Sequence, residues 1–240
     1  MLAAFRRGDL LRKLIPTWLL ASVLLSLPLI VSAHNISAGN ARFVEGIVGP
    51  AIAPFMYLGA KHMVTGYDHL LFLVGVIFFL YRARDILLFV TLFTLGHSIT
   101  LMTGVLLQLS VSAYLIDAII GLSVVYKAFE NIDGFRQVFA VQFNAKIAVF
   151  VFGLFHGLGL ATKLQEFALS NDGLVTNIVS FNVGVELGQA IALALILLVL
   201  LQWRQRSSFQ NHAFVTNTLL MTAGFVLTGY QLAGYMWVQT

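Results

Sequence analysis

The sequence predicts an all-α, polytopic membrane helix bundle with six transmembrane helices behind an N-terminal signal segment. Hydrophobic residues make up 59% of the 240 residues and charged residues only 10%, whereas soluble domains are roughly 45–50% apolar and 25% charged. The mean hydropathy is +0.91. The apolar residues also form runs of about 20 residues, the length that crosses the hydrocarbon core of a bilayer. These three observations identify lipid as the expected surroundings of the chain.

The first element is an N-terminal segment with the three parts of a secretory signal. Basic residues between Arg6 and Lys13 precede an apolar stretch at 17–31 and small residues that end at Ala33. We expect residues 1–33 to be removed, which leaves residues 34–240 as a single domain. A retained first helix is the alternative, because about fifteen apolar residues come close to spanning a membrane. Most of the net charge of +4 falls in this segment, so no basic patch for nucleic acid remains.

Six apolar runs follow the signal segment. They cover residues 51–80, 86–109, 113–129, 145–164, 175–201 and 214–238. Basic residues concentrate in every second connection between these runs, namely Arg82, Arg84, Arg136, Lys146, Arg204 and Arg206. Cytoplasmic loops of membrane proteins are enriched in lysine and arginine. We therefore expect an inner-membrane protein whose mature N-terminus and C-terminus both lie on the periplasmic side.

The absence of cysteine and of a nucleotide-binding motif excludes several classes of function. Cysteine does not occur in the sequence, which excludes disulfides, thiolate metal sites and cysteine nucleophiles. No nucleotide-binding loop is present, so any transport would draw on ion gradients. The connections between the runs are too short to form a separate domain, and we expect functional residues to lie within the helices.

Ionisable residues occur inside the apolar runs, where each costs about 2.5–3.5 kcal/mol or more and is a functional candidate. The candidate ligands are His62, Asp68, His69, His97, His156 and Glu186. Counting 1.5 Å per residue from the ends of the runs places several of them near the middle of the membrane. A shared site is therefore allowed. Hydrogen bonding between helices is the alternative interpretation of these side chains.

The first two histidines cannot share an ion on a regular helix. His62 and His69 lie seven residues apart, which puts them on one face but about 10 Å apart along the axis. Two imidazoles on one ion must both come within about 2.1 Å of it. Either another helix contributes ligands or this helix breaks, and Gly66 offers a break of the kind that transporters use near the midplane.

The types of candidate ligand restrict which metal ions are expected to bind. Imidazole and carboxylate without thiolate suit Ni(II), Co(II), Zn(II) or Fe(II) better than Cu(I), and the set is too rich in nitrogen for Mg or Ca. We expect a divalent transition metal as a substrate and no permanently bound cofactor.

Further polar side chains form stripes on two predicted helices. Asn182, Glu186 and Gln189 follow the spacing of one helix face, and Thr94 lies on a similar stripe with His97. We favour a polar pathway for Thr94, Asn182 and Gln189. A packed ladder of hydrogen bonds remains the alternative.

A short internal similarity relates the two halves of the chain. Residues 93–96 and 181–184 share the pattern Phe, polar, aliphatic, Gly. Three runs separate these segments, so a 3+3 repeat would be inverted in the membrane, as in many transporters.

The ordered motifs resemble those of the HupE/UreJ membrane proteins. The similarity extends from about residue 58 to 193 and includes four segments, 62–73, 93–100, 152–159 and 181–189. The resemblance implies six helices behind a signal sequence, an association with hydrogenase and urease gene clusters, and secondary uptake of nickel or cobalt. It also implies that His62, Asp68 and His69 form the first metal-binding motif. One departure is that 34–50 holds no histidine-rich run, only His34.

Transport of Ni(II) or Co(II) is therefore the leading hypothesis, and we do not expect an enzyme. An intramembrane metalloenzyme would use the same histidines around a metal with an open position. A membrane accessory subunit of a metalloenzyme is the third alternative. The expected partners are the metal ion and the lipid bilayer. A homo-oligomer and accessory proteins of a metalloenzyme are further candidates, and we do not expect nucleic acid to bind.

Overall fold

The computed structural model describes residues 46–109, 111–165 and 171–239. Every regular element in these ranges is a helix, which agrees with the all-α prediction. The predicted signal segment 1–33 and His34 lie outside the described residues.

Eight helices follow one another in the described part of the chain. They are α1 (Ile52–Thr65), α2 (Tyr67–Ile77), α3 (Ala83–Leu106), α4 (Ala113–Asn131), α5 (Gly134–Phe139), α6 (Ala145–Gln165), α7 (Leu174–Arg204) and α8 (Phe209–Gln239).

The first predicted run is broken into α1 and α2 at Gly66. This residue has an extended backbone with φ −74° and ψ 99°, and its N–H donates to the carbonyl of His62, closing the last turn of α1. A methyl group on Gly66 would stand 2.8 Å from Nδ1 of His69 and 3.0 Å from the carbonyl of His62. The close approach of these groups therefore requires glycine at the break.

Four helices among the described residues are long and apolar enough to cross a membrane: α3, α6, α7 and α8. The prediction of six such helices is thus met only in part. The first predicted span is divided at Gly66 into helices of 14 and 11 residues. The third is α4, which has 19 residues and carries Asp117, Lys127 and Glu130.

Close glycine contacts join two pairs of helices. α1 packs on α7, where a methyl group on Gly59 would overlap the carbonyl of Phe181 and one on Gly184 would overlap the carbonyl of Met56. Small residues allow helix backbones to approach in this way. Ala51 bonds to Asn177 and Ala60 contacts Gly188, so the contacts ascend together along both helices and show that α1 and α7 run parallel.

The same arrangement joins α3 to α6. A methyl group on Gly153 would overlap the carbonyl of Phe93, and one on Gly96 would overlap the carbonyl of Phe150. These two helices also run parallel, because Phe93 contacts Gly153 and, later in both helices, Gly104 contacts Ala161. α4 instead packs antiparallel on α8, through Gly121 against Thr228.

Arg204 fixes one end of the bundle, called here the basic end because Arg82, Arg84 and Arg206 also lie there. Its guanidinium donates to the carbonyls of Ile77, Phe78 and Leu80, at and just beyond the end of α2. Helix ends leave such carbonyls without partners inside the helix. Arg204 thus anchors α2, and the residues carried by α2, to the end of α7.

Candidate functional site

Three side chains from two helices converge in the middle of the bundle. Asp68 and His69 lie in the first turn of α2 and His156 lies on α6. Each offers one ligand atom, and these atoms lie within 4.8 Å of one another. The residues are buried, with exposed fractions of 2%, 3% and 1%. The group is a candidate metal centre enclosed by helices.

The ring of His69 is oriented by its neighbour. Nδ1 of His69 lies 3.0 Å from Oδ1 of Asp68. A carboxylate oxygen accepts a hydrogen bond from the N–H at this nitrogen, so the neutral ring carries its lone pair on Nε2. Metal-binding histidines almost always have their second nitrogen tied to a carboxylate or carbonyl in this way. Asp68 therefore positions His69 as well as offering an oxygen ligand.

His156 has the same arrangement with a different acceptor. Its Nδ1 lies 2.7 Å from the carbonyl oxygen of Phe152, one turn earlier in α6. Because a carbonyl only accepts, Nδ1 carries the proton and Nε2 carries the lone pair. Nε2 is buried and has no hydrogen-bond partner among the described residues. Both histidines thus hold the tautomer that metal binding at Nε2 requires.

His62 joins this group across the helix break. Its ring lies edge-on to that of His69, with centroids 4.9 Å apart, and the ring of His69 lies 5.0 Å from that of His156. The histidine rings form a row in which His69 is central. The break at Gly66 removes the separation of about 10 Å that a regular helix would impose.

His97 lies beside the row rather than in it. Its side chain is fully buried on α3, and its ring lies 6.2 Å from that of Phe93, which in turn contacts His156 at 4.8 Å. Neither ring nitrogen of His97 has a hydrogen-bond partner among the described residues. His97 is not part of the three-residue ligand group.

The structure does not bring Glu186 into the ligand group, and its role as a ligand stays a prediction. Its side chain is exposed on α7, whereas Asn182 and Gln189 are buried. The physical reason is the rotation of α7 about its axis. Gly184 and Gly188 pack against α1, and this places Asn182 and Gln189 at the margin of the buried face and Glu186 beyond it.

The predicted pathway residues take part in hydrogen bonds within and between helices. Oγ1 of Thr94 donates to Oε1 of Gln189 at 2.8 Å, joining α3 to α7. Nδ2 of Asn182 donates to the carbonyl of Ile178 in its own helix. Such hydrogen bonds are compatible with the alternative of a packed hydrogen-bond ladder. A pathway role for Thr94, Asn182 and Gln189 stays a prediction.

A small cavity adjoins His69 on the side that faces the basic end. Apart from His69 and Gln189, its lining is apolar and includes Phe72, Val76 and Phe93. An ion at the histidines would meet a hydrophobic barrier in this direction, because an unpaired charge in apolar surroundings is strongly disfavoured. The side chains that line this cavity on the basic-end side of His69 are mostly apolar.

Two contributions to the site are not evident from residue types. The carbonyl of Phe152 orients His156, and the ring of Phe93 contacts the rings of both His156 and His97. A sequence does not show which backbone carbonyls accept side-chain hydrogen bonds. The four-residue spacing of Phe152 and His156 is nevertheless compatible with a hydrogen bond from the His156 ring to the Phe152 carbonyl on a helix. The aromatic residues could have been suspected only from their place inside the histidine motifs.

Comparison with known proteins agrees with the arrangement of these motifs. No curated protein and no solved structure matches the chain. A family model described as HupE / UreJ protein matches residues 38–239, which include all eight helices and every residue of the candidate site. The chain therefore belongs to the HupE/UreJ family.

Proposed function

We propose that this protein is a secondary transporter for a divalent transition metal, with Ni(II) or Co(II) as the first substrates to test. The family is associated with nickel or cobalt uptake and with accessory roles for metalloenzymes. The observation that carries the proposal is the pair of oriented histidines. His69 and His156 each have Nδ1 committed to an oxygen acceptor, and they meet beside Asp68 inside the bundle.

The ligand set suits an ion that must later leave. Two or three imidazoles with one carboxylate replace the hydration shell of a borderline metal without the tight hold of thiolates. His62 is half-buried at the end of α1 and completes the row of rings. A carrier that binds its ion through the two sides of a helix break can release it by a small change at Gly66.

An inverted repeat would supply the two conformations that transport needs. Gly59 meets the carbonyl of Phe181, and Gly153 meets the carbonyl of Phe93. His62 follows Gly59 by three residues, as His156 follows Gly153. These equivalences support a pseudo-twofold relation in which His62 and His156 correspond, with His69 between them. Inverted repeats of this kind underlie alternating access.

The proposal includes six membrane crossings. We take the broken pair α1 and α2 as the first crossing and α4 as the third, with the four long helices as the others. The basic end then faces the cytoplasm by the positive-inside rule. The chain has no cysteine, so the variants Arg84→Cys and Asp172→Cys each carry a single one. In intact cells a membrane-impermeant maleimide labels only a cysteine that faces the outside of the membrane. We expect labelling at Asp172 and protection at Arg84.

Flux of metal into proteoliposomes tests the function directly. The protein is reconstituted with a metal-sensitive dye inside the vesicles, and Ni(II), Co(II), Zn(II) and Mg(II) are added outside. We expect entry of Ni(II) or Co(II) that His156→Ala lowers at least tenfold. His212→Ala is the matched control, because His212 is a buried histidine on α8 that does not belong to the ligand group.

Equal flux in wild type and His156→Ala would contradict the proposal, as would wild-type flux no greater than that of empty vesicles. A wild-type protein that retains one metal ion through chelator treatment without flux would point instead to an accessory or enzymatic metal site. The His212→Ala control separates loss of the metal site from general damage to the bundle.

A further inference from the structure

A second polar cluster lies between the histidines and the end of the bundle opposite the basic end. Nζ of Lys163, in the last turn of α6, lies 2.6 Å from Oδ2 of Asp117, in the second turn of α4. The side chains are 12% and 7% exposed. Removing two charged groups from water carries a desolvation penalty that their mutual attraction must offset. The pair needs an explanation beyond stability.

Asp117 and Asp68 line the same small cavity, together with Tyr67, Gly121, Leu227 and Gln231. The second carboxylate oxygen of Asp117, Oδ1, is buried and has no hydrogen-bond partner among the described residues. Buried oxygens are nearly always paired, so each exception calls for a reason. The cavity thus brings together two carboxylates, and Oδ1 of Asp117 is an acceptor that a ligand in the cavity could use.

The position of the cavity links it to the metal centre. Asp68 belongs both to this lining and to the ligand group with His69 and His156. A cation that leaves the cavity by way of Asp68 therefore arrives at the histidines. Carboxylate and other oxygen ligands bind cations that can keep part of their water shell, whereas imidazole ligands suit transition metals such as Ni(II).

We propose that this cavity is an entry site for the divalent cation, in which the ammonium of Lys163 is a tethered counter-ion that the metal displaces from Asp117. The inference rests on the proposed transport function. Two carboxylates balance one divalent charge, so the arriving ion can replace Lys163 without leaving a net charge in the cavity. A monovalent ion would gain less from the exchange, and the pair thereby favours divalent substrates.

Chemical labelling of lysine tests the displacement without relying on transport. The full-length protein in nanodiscs is treated briefly with an amine-reactive ester, and modification is read by mass spectrometry. We expect Ni(II) to raise labelling of Lys163 several-fold, and Na(I) at the same concentration to raise it less. Lys61, a half-buried lysine on α1 outside the cavity, is the internal control.

Two variants locate the effect. Asp117→Asn is expected to raise the labelling of Lys163 without metal and to remove the response to Ni(II). His156→Ala is expected to keep the response, because it leaves the cavity lining intact. Flux with no labelling response of Lys163 would overturn the entry site while leaving transport in place. A labelling response with no flux would support the site and contradict the transport function.

A reversed pair distinguishes entry from a purely structural ion pair. The double variant Asp117→Lys with Lys163→Asp keeps both charges and their attraction but moves the ammonium onto α4. We expect a melting temperature within a few degrees of the wild type and metal entry lowered at least tenfold. Entry at the wild-type rate in this folded variant would overturn the proposal.

Discussion

The ring of His62 lies 4.9 Å from the ring of His69 although the two residues belong to different helices. The break at Gly66 brings them together, and it also points the start of α2 at His156. Helix breaks near the middle of the membrane expose ligands in many transporters. In this protein the break positions Asp68 and His69 as a unit, and Arg204 secures the other end of the same short helix.

Replacing Gly66 with alanine is expected to disturb the metal centre more than the fold. The new methyl group would stand 2.8 Å from Nδ1 of His69 and 3.2 Å from Oδ1 of Asp68, so these side chains must move apart. We expect affinity for Ni(II), measured by equilibrium dialysis in detergent, to fall about tenfold or more. Gly229→Ala is the control, since nothing lies within 4 Å of its added methyl. Unchanged affinity in Gly66→Ala would show that the break does not set the ligand geometry.

Asp68→Asn tests whether the carboxylate tunes His69. The amide oxygen can still accept the hydrogen bond from the N–H at Nδ1, but the negative charge beside the ring is lost. We expect a weakening of Ni(II) binding of about 10–100-fold, the usual effect of removing such a partner. Isothermal titration calorimetry measures it. Asp133→Asn, an exposed acid next to α5, should bind as the wild type does, and equal binding by both variants would contradict a role for Asp68.

Gly184→Ala is expected to destabilise the bundle by about 1–3 kcal/mol, the usual cost of overpacking. Its methyl group would overlap the carbonyl of Met56, and a backbone atom cannot rotate away. The melting temperature in detergent should fall, whereas Gly229→Ala should leave it unchanged. A Gly184→Ala protein as stable as the wild type would show that α1 and α7 do not pack this closely.

Glu186→Gln is expected to leave Ni(II) affinity within about twofold of the wild type, since the exposed side chain lies outside the ligand group. Gln189→Ala should instead alter the region beside His69, because Gln189 lines the adjoining cavity and bonds to Thr94. Both affinities are measured by the same titration. A large loss in Glu186→Gln would restore Glu186 as a ligand and contradict the rotation of α7 described above.

The sequence predicted the parts of this arrangement that depend on local composition. Apolar runs indicated membrane helices, ionisable residues inside them indicated buried sites, and the seven-residue spacing of His62 and His69 required a break for which Gly66 was the obvious place. These inferences need only the repeat of a helix and the cost of burying charge.

The remaining features depend on how helices rotate and pair. Glu186 shares a nominal stripe with Asn182 and Gln189, yet the packing of Gly184 on Met56 turns it away from the site. The ion pair of Asp117 and Lys163 joins two residues that are 46 positions apart in sequence and lie on different helices. A single sequence does not specify such partners, because many rotations of an almost wholly apolar helix bury similar area.

X-ray absorption at the nickel edge, on purified protein loaded with one equivalent of Ni(II), tests the convergence of the histidines most directly. We predict scattering from at least two imidazoles, with one imidazole lost in His156→Ala and none lost in His212→Ala. A spectrum with oxygen ligands alone, or one that His156→Ala leaves unchanged, would contradict a metal centre formed by His69 and His156.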